Sequence, residues 1–432
     1  MKSGVKCSNK GNSFMNPSSN QQARKRDAAY KPRVMYFITS MAGGGAEKAV
    51  ASLLQCHNPE QFELHLLVNR FEGPYSERIP AHVKVTELGV RRLKYALPAL
   101  IRCLCEIRPD VVVSHMWENN VLTMAANRFL RDSFAAILCE HSAINRKRRI
   151  GANLLRRWAY SRADAVIGCS QRMGDEIVTL LHVPVHRVHV IPNAVIDESF
   201  YKRLQEPNPH LWMHTREEGE RVPVVVGAGR LVPEKRFDLL LHAIARINER
   251  QAIRAVIIGE GHLRNELESL RSTLGLDHAV DFPGFTKNPL PYMAHADVFV
   301  QTSDVEGLPT ALIEAVACGT PVVATRTAAG TAEVLAGIEA AALIPCGDVE
   351  ALVQAIVMQL QAQASDNNTK AKRRHAASEC PSVMKRYVSD QVTKQYSKLI
   401  MDILAQRGRL DCIQSRTAPD GRENNREISV RI

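Results

Sequence analysis

The sequence has no hydrophobic run long enough to cross a membrane. Of its 432 residues, 45% are hydrophobic, but the longest apolar stretches, such as VVVGAG at 224–229, are short. A membrane-spanning helix needs roughly 18 to 20 such residues. The amino terminus is polar until Val34 and does not match a secretory signal. We therefore expect a cytoplasmic protein.

Paired cysteines are also missing. The ten cysteines are scattered singly and form no C-x-x-C pair, so neither a disulfide framework nor a zinc site is predicted. Three histidines, His182, His186 and His189, lie close together in HVPVHRVHV, but no carboxylate or cysteine accompanies them. We predict no metal site and no cofactor.

Aromatic residues are scarce at 5%, whereas positive charge is in excess, with a formal net charge of +11. Such charge can indicate nucleic acid, an anionic membrane or a phosphorylated ligand as partner. The basic clusters lack the interleaved aromatic residues that stack on single strands, and no helix-turn-helix or zinc module is visible. Nucleic acid is therefore not an expected partner, and a basic nucleic-acid-binding protein is kept only as a second alternative.

Short β-branched runs alternate with helical stretches from Val34 onward. The alternation continues to about Val195 and starts again with VPVVVGAGRL at 222–231, which predicts an α/β fold with two doubly wound parallel sheets. The predicted segments are a disordered tail (1–32), a first Rossmann-like domain (33–200), a linker (201–222), a second such domain (223–384), a C-terminal helix packing back toward the first domain (385–406) and a second disordered tail (407–432).

Three motifs lie in loops after predicted strands, where open α/β sheets bind their ligands. The first is SMAGGGAEK at 40–48, between a strand and a helix. Its glycines allow close backbone approach, and the helix that follows offers unpaired amides to a phosphate. The motif is neither G-x-G-x-x-G nor a Walker loop, so a plain tight turn is an equally good interpretation.

The second motif is GRLVPEKRFDLLL at 229–241, which places Arg230 and Lys235 between a strand and a helix. Two cations in such a loop can hold a diphosphate and stabilise the charge that develops as it leaves. The alternative is a solvated basic loop.

The third motif is DVEGLPTALIEAVACGTPVVAT at 304–325, which predicts a helix from about Pro309 to Cys318. Glu306 precedes this helix, and Glu314 lies more than a turn inside it. A carboxylate in the loop can accept hydrogen bonds from sugar hydroxyls, and a second can reach a ribose diol. Alternatively, Glu306 only complements the helix dipole and Glu314 faces solvent.

Together, these motifs with EHS at 140–142, PNAV at 192–195 and GEG at 259–261 resemble the glycosyltransferases of family 4, which have the GT-B fold. The resemblance spans roughly residues 33 to 400. It implies two Rossmann-like domains facing a central cleft, and transfer of a hexose or N-acetylhexosamine from a UDP- or GDP-sugar. The family retains anomeric configuration and needs no divalent metal. UDP-linked donors are favoured.

The resemblance also implies roles for individual residues. Arg230 and Lys235 would bind the donor diphosphate, Glu306 the donor sugar and Glu314 the ribose, while His141 would meet the reacting sugar. The remaining residues expected to bind substrate are Gly44, Gly45, Gly259, Gly261, Gly307 and Leu308. The sequence departs from the family pattern where Ala328 and Ala329 replace a glycine pair. A UDP-sugar 2-epimerase of the same fold is the first alternative function.

The expected acceptor is a lipid-linked glycan in cell-surface polysaccharide biosynthesis, by analogy with relatives that open with a similar glycine loop. The stretch INRKRRIGANLLRRWAYSR from Ile144 contains seven basic residues and no acid. On a helical wheel, an apolar arc (Ile150, Leu154, Leu155, Trp158) opposes Arg149, Arg156 and Arg157. This helix, 146–162, either contacts the inner leaflet or packs its apolar arc into the core. We expect peripheral association with the cytoplasmic face of the inner membrane.

Overall fold

The computed structural model describes residues 31–92, 95–142, 144, 150–208, 210–214, 222–327, 330–364 and 382–408. The predicted tails lie outside these residues except for 31, 32, 407 and 408, and the basic run at 145–149 also lies outside them. No helix in this described part of the chain is long and apolar enough to cross a membrane.

Two parallel sheets form the framework, which confirms the predicted fold class. The first has the order β3-β2-β1-β4-β5-β6-β7 and the second the order β10-β9-β8-β11-β12-β13. The strands are β1 (Arg33–Ile38), β2 (Glu63–Val68), β3 (Lys84–Glu87), β4 (Val111–His115), β5 (Ala135–Glu140), β6 (Ala165–Gly168), β7 (Val188–Val190), β8 (Val224–Ala228), β9 (Arg254–Ile258), β10 (Val280–Gly284), β11 (Val298–Gln301), β12 (Val322–Thr325) and β13 (Ala341–Ile344).

Helices cover both faces of each sheet. They are α1 (Gly45–Cys56), α2 (Leu97–Ile107), α3 (Trp117–Phe129), α4 (Ile150–Tyr160), α5 (Gln171–Leu181), α6 (Phe200–Leu204), α7 (Phe237–Asn248), α8 (Arg264–Thr273), α9 (Leu290–His295), α10 (Thr310–Ala317), α11 (Thr331–Leu335), α12 (Val349–Ala364) and α13 (Ser389–Gln406). Short 3₁₀ turns join some of them.

Burial on both sheet faces explains why the strands are continuous apolar runs. In β1, Met35 and Phe37 point into one apolar cluster, while Tyr36 and Ile38 point into another on the opposite face. The first of these clusters continues into the second domain, where it includes Phe299. The two domains are therefore packed against each other.

The chain returns to the first domain after the second is complete. Ile196 pairs with Val388 in an isolated parallel bridge, and α13 then packs on α1. Tyr396 of α13 is buried, and Arg407, at the start of the predicted tail, forms an ion pair with Asp164. The predicted C-terminal helix thus ends against the first domain.

The strand order places one switch point in each sheet, between β1 and β4 and between β8 and β11. At these points the loops after neighbouring strands diverge to opposite faces and leave a crevice. The loop after β1 contains the glycine-rich motif, and the loop after β8 contains the motif with Arg230 and Lys235. The loop after β11 contains Glu306. Both crevices open toward the same cleft.

Candidate active site

The cleft between the domains contains a cavity of about 490 Å³ that both domains line. This volume is in the range of small-molecule binding sites. The sequence-predicted site residues that line it are Gly44, Gly45, His141, Arg230, Lys235, Gly259, Glu306, Gly307, Leu308 and Glu314. Gly261 does not line the cavity.

The GEG turn supports the loop that carries Arg230. A Cβ atom built on Gly259, where φ is +143°, would lie 1.9 Å from the carbonyl oxygen of Gly229, and one on Gly261 would lie 2.2 Å from that of Leu231. Only glycine permits so close an approach of two backbones. Gly261 therefore packs against the neighbouring loop, while Glu260 beside it faces the cavity.

Lys235 and Glu306 form an ion pair with an N–O distance of 2.5 Å. The Ser303 hydroxyl donates a second hydrogen bond to the same carboxylate oxygen, at 2.6 Å. The Thr302 hydroxyl donates to the carbonyl of Lys235 at 2.8 Å. These contacts fix the loop after β8 against the loop after β11. Arg230, by contrast, is exposed at the edge of the cavity.

The helix predicted from about Pro309 to Cys318 is confirmed. Helix α10 runs from Thr310 to Ala317, with Pro309 at its N-cap and Gly319 in the left-handed conformation (φ +74°) just past its end. Pro309, Thr310 and the preceding Leu308 line the cavity. The partial positive charge of the helix amino terminus therefore faces the same space as Lys235.

Glu314 is buried and paired with a residue that the sequence motifs did not single out. Glu314 is only 7% exposed, and its carboxylate accepts a hydrogen bond from Lys48, which is 4% exposed and belongs to α1 of the first domain. The solvated interpretation of Glu314 is therefore wrong. The sequence could have identified Lys48, because it is the last residue of SMAGGGAEK and lies one helical turn after Gly44.

Glu47 is a second cavity-lining residue that sequence reasoning missed. It is the third residue of α1, after the N-cap Gly44, which is the position from which a glutamate reaches back to the cap amide. Burial raises the pKa of its carboxyl, while the amides of Glu47 and Gly44 and the charge of Arg230 lower it. A Cβ on Gly44 would lie 2.3 Å from Glu47 Oε2, so any larger residue at the cap would displace the Glu47 side chain.

His141 faces a second histidine, His115, at the carboxyl end of β4. The Nδ1 atom of His115 and the Nε2 atom of His141 are 2.9 Å apart, and the rings are stacked with centroids 5.2 Å apart. Burial lowers the pKa of His141 to about 4, and it also lowers the pKa of His115 well below its ordinary value. Both rings are therefore neutral at pH 7. Sequence reasoning missed His115, although it ends the strand in DVVVSHM.

The loop that carries His141 is held by the buried carboxylate of Glu140. This carboxylate accepts hydrogen bonds from the backbone amides of His141 (3.2 Å) and Ser142 (3.1 Å) and from the Tyr160 hydroxyl (2.8 Å). It also forms an ion pair with Arg156 of α4. A buried charge needs such a partner, so Arg156 is drawn into the core.

Helix α4 therefore differs from the predicted basic amphipathic helix. Arg156 was predicted on the face opposite the apolar arc but is fully buried. Leu154 and Leu155, predicted on the apolar arc, are 61% and 51% exposed, so the alternative in which this arc packs into the core is wrong for both. Trp158 is half-buried and Arg157 is exposed.

The three clustered histidines lie in three different elements. His182 caps α5, His186 lies in a 3₁₀ turn and His189 lies in β7. Over the ranges of the chain described above, no group of three or more His, Cys, Asp or Glu side chains is arranged to hold a metal ion.

Two family models match this chain, one for each domain. Residues 43–199 match the model described as Glycosyltransferase Family 4, and residues 212–376 match the model described as Glycosyl transferases group 1. The two matches lie on either side of residues 200–211 and together include the ten sequence-predicted residues that line the cavity.

Two similar proteins are named as bacterial glycosyltransferases. The N-acetylgalactosamine-N,N'-diacetylbacillosaminyl-diphospho-undecaprenol 4-alpha-N-acetylgalactosaminyltransferase of Campylobacter jejuni is 26% identical over 75% of this chain and 89% of its own length. The lipopolysaccharide core biosynthesis glycosyltransferase LpsE of Rhizobium meliloti is 32% identical over 41% of this chain and 49% of its own.

Among solved structures, HepE from Anabaena in complex with UDP-glucose aligns over 87% of this chain and 99% of its own length, with a TM-score of 0.70 and 19% identity. The apo form of the lipopolysaccharide outer core galactosyltransferase WaaB aligns over 86% and 99% of the two chains, with a TM-score of 0.62 and 15% identity. At 19% and 15% identity, these structural similarities show a shared fold only.

Proposed function

Since the chain belongs to family 4 of the glycosyltransferases with the GT-B fold, we propose that it transfers a hexose or N-acetylhexosamine from a UDP- or GDP-sugar to a lipid-linked glycan. UDP-linked donors are favoured, the anomeric configuration is retained and no divalent metal is required. The observation that carries this proposal is the meeting of Arg230, Lys235, Glu306 and His141 in one interdomain cavity.

The relatives support the choice of substrates. HepE was solved in complex with UDP-glucose, which supports a UDP-linked donor. The name of the Campylobacter transferase specifies an N-acetylgalactosaminyl group and a diphospho-undecaprenol acceptor. A lipid-linked acceptor places the reaction in cell-surface polysaccharide assembly, of the lipopolysaccharide or capsule type.

The diphosphate of the donor would lie between Arg230, Lys235 and the amino terminus of α10. Negative charge increases on the diphosphate as the bond to the sugar breaks, and preorganised cations and helix amides stabilise that charge. Lys235 is fixed by Glu306 and by the bond from Thr302, so it needs little rearrangement. Arg230, at the cavity edge, supplies the second cation.

The sugar would contact Glu306 on one side and His141 on the other. An ionised carboxylate only accepts hydrogen bonds, which suits it to sugar hydroxyls, and Lys235 holds Glu306 in place. The low pKa of His141 means that its ring acts as a neutral hydrogen-bonding group at pH 7 rather than as a cation. Glu314 would accept from the ribose, and the turn at Gly259 would lie beside the base.

Peripheral membrane contact is proposed for α4. Leu154 and Leu155 are exposed next to the exposed Arg157, a combination that suits the interface of an anionic leaflet. Cosedimentation with anionic vesicles tests this proposal. The double variant Leu154→Ser/Leu155→Ser should bind the vesicles less than wild type. Unchanged sedimentation of the double variant would exclude α4 as the contact.

The test of the activity is nucleotide release from a panel of UDP- and GDP-sugars in EDTA, with and without a bacterial lipid extract. We expect lipid-dependent release from one donor, and loss of that release in Glu306→Gln. Product analysis in the same assay separates transfer from epimerisation, because an epimerase changes the sugar without acceptor-dependent release. Absence of release and of binding for every donor would overturn the proposal.

A further inference from the structure

The ion pair between Lys48 and Glu314 crosses the domain interface inside the cavity. Lys48 is in the first turn of α1, in the first domain, and Glu314 is in α10, in the second. The two residues are 266 positions apart in sequence. Both line the cavity, yet both side chains are more than nine-tenths buried.

Packing alone does not account for a buried ion pair at this place. Removing two charges from water is costly, and apolar residues of similar volume often stabilise a protein equally well. The position of both residues in the cavity lining favours a role toward a ligand. The neighbouring cations Arg78 and Arg203 are bound to Asp197, at 2.6 and 3.0 Å. Lys48 is therefore the cation that Glu314 contacts.

The contact leaves part of the Glu314 carboxylate available. Lys48 Nζ donates to Oε1 of Glu314, and no other side chain among the described residues donates a hydrogen bond to this carboxylate. A carboxylate can accept about four hydrogen bonds. The pair can thus accept hydrogen bonds from a ligand while Lys48 fixes the orientation of the carboxylate.

The geometry of α1 and α10 makes this pair dependent on domain closure. A Cβ on Gly45 would lie 3.1 Å from Cγ2 and Oγ1 of Thr310, so the first turns of the two helices are in contact. Separation of the domains by a few ångströms would break that contact. It would also remove Lys48 from Glu314, because the two side chains belong to different domains.

We propose that Lys48 is a positioning residue of the first domain that orients Glu314 toward the ribose hydroxyls of the donor nucleotide. Recognition of the ribose then requires both domains in their closed arrangement. This inference rests on the proposed function, because it takes the ligand to be a nucleoside diphosphate sugar.

The test compares two ligands, UDP and 2′,3′-dideoxy-UDP, by titration calorimetry, with GDP and its dideoxy form measured in parallel. Wild type should bind the ribose form of its preferred nucleotide at least about tenfold more tightly than the dideoxy form. This ratio of affinities, the ribose ratio, corresponds to one hydrogen bond to a charged group. In Lys48→Met this ratio should fall below about threefold. In Glu314→Gln the ratio should also fall, and adding Lys48→Met should lower it no further.

A matched control is Glu333→Gln, since Glu333 accepts a hydrogen bond from the backbone amide of Gln171 at 3.0 Å across the same interface, outside the cavity. Its ribose ratio should equal that of wild type. Lys48→Gln replaces Lys48→Met if thermal melting shows that the latter is unfolded.

Three outcomes overturn the inference while the proposed function stands: wild type binds UDP or GDP without preference for the ribose form, the Lys48 variant keeps the wild-type ratio, or Glu333→Gln lowers the ratio as much. If wild type binds neither nucleotide in either form, the proposed function itself fails, and the inference fails with it.

Discussion

Lys235 and Glu306 lie 2.5 Å apart in two loops that follow different strands, β8 and β11, of the second sheet. The residues were predicted to bind two different parts of one donor, the diphosphate and the sugar. Their ion pair connects these two proposed subsites directly. A change at either residue should therefore affect both charge stabilisation and sugar orientation.

Replacing Lys235 with methionine should lower kcat about 10²-fold, the typical effect of removing one preorganised electrostatic contact from an active site. Arg246→Met is the matched control, because Arg246 is exposed on α7 and pairs with Glu350 outside the cavity. The rate of acceptor-dependent nucleotide release measures both. Equal rates for Lys235→Met and wild type would contradict the role of this lysine.

Gly307→Ala should disturb the contact between the domains. A Cβ on Gly307 would lie 2.1 Å from the carbonyl oxygen of His141, a backbone atom that cannot rotate away. Displacement of about an ångström at the reacting groups should lower kcat/KM about 10²-fold. Gly151→Ala, in α4, meets no atom within 4 Å and should leave kcat/KM unchanged. If both variants retain full activity, the interface is more adaptable than this contact indicates.

Arg156→Ala should destabilise the protein by about 3–5 kcal/mol, because it leaves the carboxylate of Glu140 buried without its cation. The adjacent Arg157 is exposed, so Arg157→Ala should change the free energy of unfolding by no more than about 0.5 kcal/mol. Urea denaturation at pH 7 measures both values. Similar values for the two variants would show that α4 does not bury Arg156.

Stability should fall as the pH drops from about 6.5 toward 4. Burial lowers the pKa of His57 to about 4, and its ring is 2.5 Å from the Tyr36 hydroxyl. The unfolded chain has the ordinary histidine pKa, so it binds one more proton than the folded chain in this window. His57 alone should contribute a slope of about 1.4 kcal/mol per pH unit.

Urea denaturation at pH 6.0, 5.5 and 5.0 checks this slope. His57→Gln should reduce the slope by about 1.4 kcal/mol per pH unit, which corresponds to one proton. His186→Gln, at an exposed position, should leave the slope unchanged. An unchanged slope in His57→Gln would show that His57 does not titrate with a lowered pKa.

Local sequence patterns were sufficient for most of the framework. Strands β1, β4, β8 and β11 are continuous apolar runs because both faces of each sheet are covered, and their ends predicted the loops that carry the site. Strands β3 and β13 were not predicted. The residues of β3 are mostly exposed, and β13 is a short, half-buried AALI, so neither shows the apolar run of a central strand.

What the sequence determined by itself was the pair of α/β domains, the helix that follows Glu306 and contains Glu314, and ten of the residues that line the cavity. The tertiary structure decided which polar side chains meet: Lys48 with Glu314, Glu140 with Arg156, and His115 with His141. It also exposed Leu154 and Leu155 where a helical wheel predicted a shared apolar arc. The physical reason is that periodicity records which residues share a face of one element, whereas a buried charge is stabilised by a partner on another element that only folding brings near.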